Sequence, residues 1–386
     1  MKESKQEVYL FRIPEFSDKF FVTDVSQSVW HSLSEYENEA YTRKFIEQNY
    51  KLKKLGNRSY EKAASFFSFN IRQGIEYFRN SHNSSLAIKP LLLYYGIMSF
   101  AKAIIIYNDP GYLKKLENKD NRRHGLSYSS KCSKKFCMSS DTVRIKTPGT
   151  FDFFQNSLDI KPLTANTDYA LRDLYSWMTG LSLVETDVYI PGKKYENYID
   201  EIPVKTRKTM LCRVVKKNKN NKFEGEISIK TSLSVDDLIV ENAKKDIKKI
   251  IPELADFRIV SCDPKCIILK GLKEKYNPRT LYGEFIATQQ VLSRLNLISH
   301  YDGYNLYLFQ RFGGREFVAQ SIAYYLVSYI LGSICRYEPI KWRETLEAKK
   351  TNEKWLAELA INEISNNFPL FVISYFRHKH TKFLQK

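Results

Sequence analysis

The sequence predicts a mainly α chain of the α+β class, in which a helical bundle is interrupted by a small inserted antiparallel β region. Three observations carry that prediction. Residues 89–112, KPLLLYYGIMSFAKAIIIYNDPGY, are the most apolar run in a chain of 386 residues. Residues 59–80 repeat apolar side chains at helical spacing. Short alternating runs replace that period between residues 185 and 272, and it returns after Phe317.

The elements follow in order. The opening MKESKQEVYLFRIPEF has no uninterrupted apolar stretch before a small-residue cleavage site, so no secretory leader and a cytoplasmic location are expected. Residues 24–56 read as one or two helices with Gly56 as their stop. In residues 59–80, Ala63, Phe66, Phe67, Ile71, Ile75 and Phe78 fall near one helical face. Pro90–Tyr107 spans 18 residues, close to the lower limit for a bilayer crossing, with Lys102 in its second half. No second span accompanies it. A helix this short and apolar nearly all round is the central helix of a bundle, and no membrane partner is expected. Pro90 suits its first turn, and Asp109-Pro110-Gly111 stops it.

After Gly111 the composition turns basic. Residues 112–146 carry ten lysines and arginines against three acids, which predicts a loop ending in a strand at Asp141–Lys146. Residues 185–194, ETDVYIPGKK, form a short alternating run. Residues 210–230 read as a hairpin about Asn218–Asn221, and 257–272 as a strand pair turning at Asp263-Pro264. The expected organisation is a helical bundle at 1–111, a basic loop at 112–160, a mixed region with short strands at 161–316, and helices at 317–386 that pack back on the bundle.

Charge bounds the function. A formal +18 attracts nucleic acid, an anionic surface or an acidic protein. Six cysteines in a chain this long read as free thiols. The pairs Cys132/Cys137 and Cys262/Cys266 lack the tight spacing or neighbouring histidines of a zinc site, so neither metal nor cofactor is expected. No phosphate-binding G-x-x-x-x-G-K-[ST] loop, nucleophile elbow or H-E-x-x-H is present, so ATP, serine-hydrolase and zincin chemistry have no support.

The segment NRRHG at residues 121–125 holds residue types suited to phosphodiester chemistry. A histidine titrates near ~6.5 and serves as acid or base, and an arginine holds phosphate bidentately. Its bland alternative is a solvated loop in which His124 caps a turn before Gly125. Lys102 either reaches a phosphate from the bundle or snorkels to solvent or a carboxylate. Tyr94 and Tyr95 either stack bases or fill the core. Arg336 and Glu338 read as the ties between one helix and the next.

Three stretches carry a family resemblance: IKPLLLYYGIMSFAKAIIIYNDPGY, RHGLS and YYLVSYILGSICRYEPIKW, in that order along the chain. Together they resemble the landmark segments of YaaC-like proteins, across most of the chain except about residues 185–290. More loosely, a Tyr-Tyr-led helix followed by a basic loop with histidine is similar to the HEPN helical pattern. That resemblance implies an RNA-cleaving toxin or antiviral defence effector, usually dimeric, or a relative that only binds. HEPN catalysis uses an arginine followed some residues later by histidine; here Arg122, Arg123 and His124 are adjacent. Arg294–His300 has that spacing, at the frequency chance predicts.

The resulting expectation is a nucleic-acid-binding protein, RNA before DNA, acting alone as a homodimer or with a partner protein. Its sharper form is a metal-independent endoribonuclease with His124 as acid/base and Arg122 or Arg123 on the scissile phosphate. Its rival is a non-catalytic binding or scaffold subunit. Arg79, Lys102, Lys131, Lys134, Lys135, Lys216, Lys217 and Lys219 are the candidate nucleic-acid contacts.

Overall fold

The computed structural model describes residues 9–11, 17–22, 25–49, 56–131, 138–158, 162–175, 177–178, 206–217, 223–231, 258–263, 266–270, 300–301, 306–309, 318–347, 353–377 and 380–385. In the strands before residue 25, between 206 and 309, and after 379, the backbone alone is described. The chain divides into two compact units, one of Phe20–Ile202, Val318–Ile373 and Phe383–Lys386, the other of Met1–Lys19, Pro203–Phe317 and Ser374–Lys382.

The first unit is helical because its apolar residues recur at helical spacing and its breakers stand at the ends. Helix α1 is Val25–Ser34, α2 is Glu39–Asn49 and α3 is Asn57–His82. On α3, Ala63, Phe67, Ile71, Ile75 and Phe78 are buried. Helix α4, Lys89–Asn108, has Pro90 in its first turn and Asp109 at its end. It is long and apolar enough to cross a membrane, but 72% of its apolar window is buried inside the fold. Leu93, Ile97, Phe100, Ala101, Ile104 and Ile105 are all closed off from solvent, each large side chain contributing about 1.5–3 kcal/mol of transfer free energy. Gly96 lets α3 approach closely, since a Cβ there would sit 2.5 Å from the Phe78 ring.

Short helices α5 (Tyr112–Lys115), α6 (Thr150–Ser157) and α7 (Leu171–Tyr175) follow, then the long α8 (Gln320–Tyr337), α9 (Pro339–Glu347) and α10 (Glu353–Arg377). From α8, Tyr325 and Tyr329 meet Tyr94 of α4 at ring distances of 6.1 and 5.3 Å. Phe368 of α10 stacks on Phe78 and Phe100 at 6.3 and 6.5 Å.

The stretch expected as a basic loop is more ordered than its composition suggests. It contains α5, strands β3 (Leu126–Ser129) and β4 (Thr142–Ile145), and α6. Strand β4 lies within the expected Asp141–Lys146 strand, and β5 (Asp168–Ala170) completes an antiparallel sheet of three, with Ser127↔Arg144 and Val143↔Tyr169 in register. Val143 and Ile145 supply the buried face that the charge count obscured.

The second unit contains a sheet of seven antiparallel strands. Its long strand β6 (Thr206–Lys217) pairs along one edge with β7 (Phe223–Thr231), with Lys217 opposite Phe223 at the expected hairpin. Strands β8 (Arg258–Asp263) and β9 (Cys266–Lys270) pair up to Asp263↔Cys266. The other edge of β6 is shared between β11 (Leu306–Phe309), which also pairs with β10 (His300–Tyr301), and β1 (Tyr9–Phe11). Strand β2 (Ser17–Val22) pairs with β12 (His380–Gln385). The first 111 residues are therefore not wholly helical: Tyr9-Leu10-Phe11 adds to a sheet edge instead. The run at 185–194, Lys134, Lys135 and Lys219, and the side chains of Lys216, Lys217, Cys132, Cys137, Cys262 and Cys266, lie outside the described residues.

Candidate functional site

The site grows from α4. Lys102 stands about two helical turns beyond Tyr95 on the same row of α4, and Tyr94 lies on the neighbouring row. Tyr94 is a core residue whose ring is buried, yet its hydroxyl lies 2.8 Å from Nδ1 of His124. It also points toward Sδ of Met98, at 4.0 Å. Of the two readings of Tyr94, the core one holds for its ring, while its hydroxyl is used separately.

His124 is held by its backbone as well as by its ring. Its carbonyl accepts from Phe151 N at 3.0 Å, and the carbonyl of Arg123 accepts from Thr150 N at 2.8 Å. Gly125 follows at φ +75°, in the left-handed region where a side chain is disfavoured. Gly149 lies against it, so closely that a Cβ on Gly149 would fall 2.3 Å from the Gly125 Cα. Two glycines therefore clamp the histidine loop to the start of α6. The turn before Gly125 was legible in the sequence; the partner at Gly149 was not.

The charges of two cations reach the imidazole. Burial holds the His124 pKa below its ordinary value, and the nearby charges of Lys102 and Arg336 lower it further. Burial also lowers the pKa of Lys102. Arg336, near the end of α8, donates from Nη1 to the Tyr95 hydroxyl at 3.0 Å, and its guanidinium lies 4.9 Å above the Tyr337 ring. It reaches back to α4 rather than forward to α9. Among the described residues, neither Lys102 nor Arg336 has a carboxylate within ion-pair distance, and His124 Nε2 has no protein partner.

The structure separates the other candidates from this cluster. Arg122 donates through Nε to the Leu116 carbonyl at 2.5 Å, and exposed Arg123 pairs with Asp120 at 2.9 Å. Adjacency in sequence does not bring them to the imidazole, because the short helical turn at Lys119–Arg122 directs them back on its own loop. Arg79 is exposed in the last turn of α3, and Lys131 is 3.9 Å from Asp168. Arg336 and Tyr329 were missed as site residues. Their signal is the YYLVSYILGSICRYE helix itself, whose Tyr325, Tyr329 and Arg336 recur at near-helical intervals.

A sequence model of YaaC-like proteins matches residues 34–376. The chain belongs to the YaaC-like family. No curated protein and no solved structure matches it. In this YaaC-like chain the three segments that carry the family resemblance meet at one place: α4 brings Tyr94, Tyr95 and Lys102, the RHGLS segment brings His124, and α8 brings Tyr325, Tyr329 and Arg336. Tyr329 closes the contact by donating to the Leu126 carbonyl at 3.1 Å.

A second charged cluster has a different character. Asp141 is 0% exposed and accepts Lys341 Nζ at 2.7 and 2.6 Å, Tyr128 Oη at 2.8 Å and Lys131 N at 3.1 Å. Lys341 also donates to Ser130 Oγ at 3.0 Å. This network joins α9 to the three-stranded sheet. Nearby, Glu353 accepts from Ser139 Oγ at 2.8 Å, and burial raises its pKa. Among the described residues no group of three His, Cys, Asp or Glu is arranged to hold a metal ion.

Proposed function

We propose that this chain binds RNA, with a backbone phosphate held by Lys102, Arg336 and Nε2 of His124. One observation carries the reading: the charges of two cations act on a histidine, and among the described residues its outer nitrogen has no protein partner and no carboxylate neutralises those cations. A phosphodiester supplies the missing negative charge and accepts all three donors. The +18 surplus favours approach of a polyanion. With the Tyr94 hydroxyl donating to Nδ1, neutral His124 carries its proton on Nε2 and donates it to a phosphate oxygen.

A second reading, metal-independent cleavage, rests on the other tautomer. If Nδ1–H donates to the Tyr94 oxygen, the Tyr94 proton turns to Met98 Sδ and Nε2 becomes a base. In that reading Nε2 takes the proton of the 2′-hydroxyl, and the 2′-oxygen attacks phosphorus. The 5′-oxygen leaves with a proton from the Lys102 ammonium, made more acidic by burial, giving a 2′,3′-cyclic phosphate and a 5′-hydroxyl. Arg336 stabilises the charge on the phosphoryl oxygens.

Incubation of wild type and His124→Ala with labelled RNA and DNA in EDTA tests both. Retention of RNA, with affinity falling steeply between low and physiological salt, is the expected result. A flat salt response overturns the binding reading. Cleavage that the variant loses establishes the second reading, and binding without cleavage removes it.

A further inference from the structure

Tyr337 is 61% exposed at the end of α8. Exposure of one aromatic ring is ordinary on a protein surface. Its setting is not. The Arg336 guanidinium is stacked on this ring at 4.9 Å, and the same guanidinium donates to the Tyr95 hydroxyl and bears on His124. Tyr337 is also close enough to Tyr94 and Tyr329 to act on their hydroxyls. Half-buried Tyr95 packs in turn on half-buried Tyr77, with ring centres 5.7 Å apart. A partly open aromatic surface therefore runs directly out from the phosphate cluster, with a planar cation in its middle. Glu338, next in sequence, makes no ion pair with Arg336 among the described residues, and its charge instead bears on Tyr128.

We propose that Tyr337, with Arg336 stacked upon it, is a nucleobase platform beside the phosphate cluster, so the RNA it takes is single-stranded with an unpaired base next to the bound phosphate. The inference rests on the RNA-binding reading and narrows its substrate class. A ring and a guanidinium both offer flat faces to a base, and such stacking tolerates any base identity. A base within a duplex is already stacked on its neighbours, so a helical RNA cannot use the platform. The rival occupant is a protein surface, for which Tyr337 and Ile340, 66% exposed on the next helix, are the obvious anchors.

The test is fluorescence anisotropy of the full chain with a labelled single-stranded RNA and with a duplex of the same sequence. Wild type, Tyr337→Ala and Tyr337→Trp are compared. Tyr337→Ala is expected to weaken single-strand binding roughly 10-fold, leave duplex binding unchanged and keep the same salt slope, because no charge is removed. Tyr337→Trp is expected to keep the affinity and to show quenched indole emission when the single strand binds. If wild type binds RNA but Tyr337→Ala loses nothing, the platform is wrong and the RNA reading stands. If wild type binds no RNA, both fall. Sedimentation of the same variants decides the rival: a dimer dissociated by Tyr337→Ala with RNA affinity intact assigns the surface to a second copy and overturns the proposal.

Discussion

Two partly buried lysines in this protein have opposite fates. Lys341 meets both oxygens of Asp141, a carboxylate that also receives Tyr128 and a backbone amide. Lys102 meets no carboxylate among the described residues, and its charge bears on His124 instead. The first arrangement is complete without a ligand and fixes α9 against the small sheet. The second leaves positive charge uncompensated within the fold, which costs stability unless something outside the protein supplies the counter-charge. The difference separates a structural ion pair from an uncompensated cation more sharply than the total charge of the chain does.

The comparison is broken most directly at Asp141. Asp141→Ala leaves the Lys341 ammonium, whose side chain is 12% exposed, with only Ser130 as a partner. Loss of about 3–5 kcal/mol in unfolding free energy is expected in a denaturant titration. The double variant Asp141→Leu with Lys341→Met is expected to recover a large part of that, because neither charge is then stranded. A loss below about 1 kcal/mol in the single variant would show the pair to be solvated rather than structural.

Lys102→Met asks the reverse question. The methionine keeps the apolar stem and removes a charge whose pKa burial lowers. A depressed lysine pKa means that the unfolded chain holds this proton more tightly. The folded state is therefore penalised at all pH values below the folded pKa, and the penalty fades as pH rises from there to the unfolded value. Stability at neutral pH is expected to stay level or rise by up to about 1 kcal/mol. RNA affinity is expected to fall, with the salt slope shallower by about 0.7. Destabilisation comparable to that of Asp141→Ala would put Lys102 with Lys341 among structural cations.

How much of this contrast the sequence carried depends on chain separation. The core role of α4 was legible because it is apolar nearly all round, and the pairing of the strands at Thr206–Lys217 with Phe223–Thr231 and at Arg258–Asp263 with Cys266–Lys270 was legible from their alternating runs. Lys102 and His124 could be named as candidates, since each is an unusual residue in its own segment. Their meeting with Arg336 could not be read, because that arginine joins α4 only after the whole sheet unit intervenes, 241 residues from its partner Tyr95. The same holds for Lys341 and Asp141, 200 residues apart. Arg122 and Arg123 lie apart from His124 for the complementary reason: within a tight helical turn their side chains are engaged by their own loop, at the Leu116 carbonyl and Asp120.

The smallest expected effect is the most specific, and it lies in the titration of His124. Burial, Lys102 and Arg336 all hold its pKa down, in that order of weight. By linkage, the unfolded chain takes up this proton first as pH falls, so this residue removes stability from about pH 6.5 downward and none above it. Ring resonances of His124 followed by NMR are expected to titrate below the ordinary histidine range in wild type. They should move upward in Lys102→Met, because one repelling charge is gone while the burial remains. Bound inorganic phosphate should move them further in the same direction, since a protonated imidazole then pairs with an anion. The Asp141→Ala variant provides the control that links the two clusters: if it shifts His124 as much as Lys102→Met does, the imidazole is sensing the charge balance of the whole helical unit and not the two cations beside it. A response confined to Lys102 and to the added anion is what a local phosphate site requires.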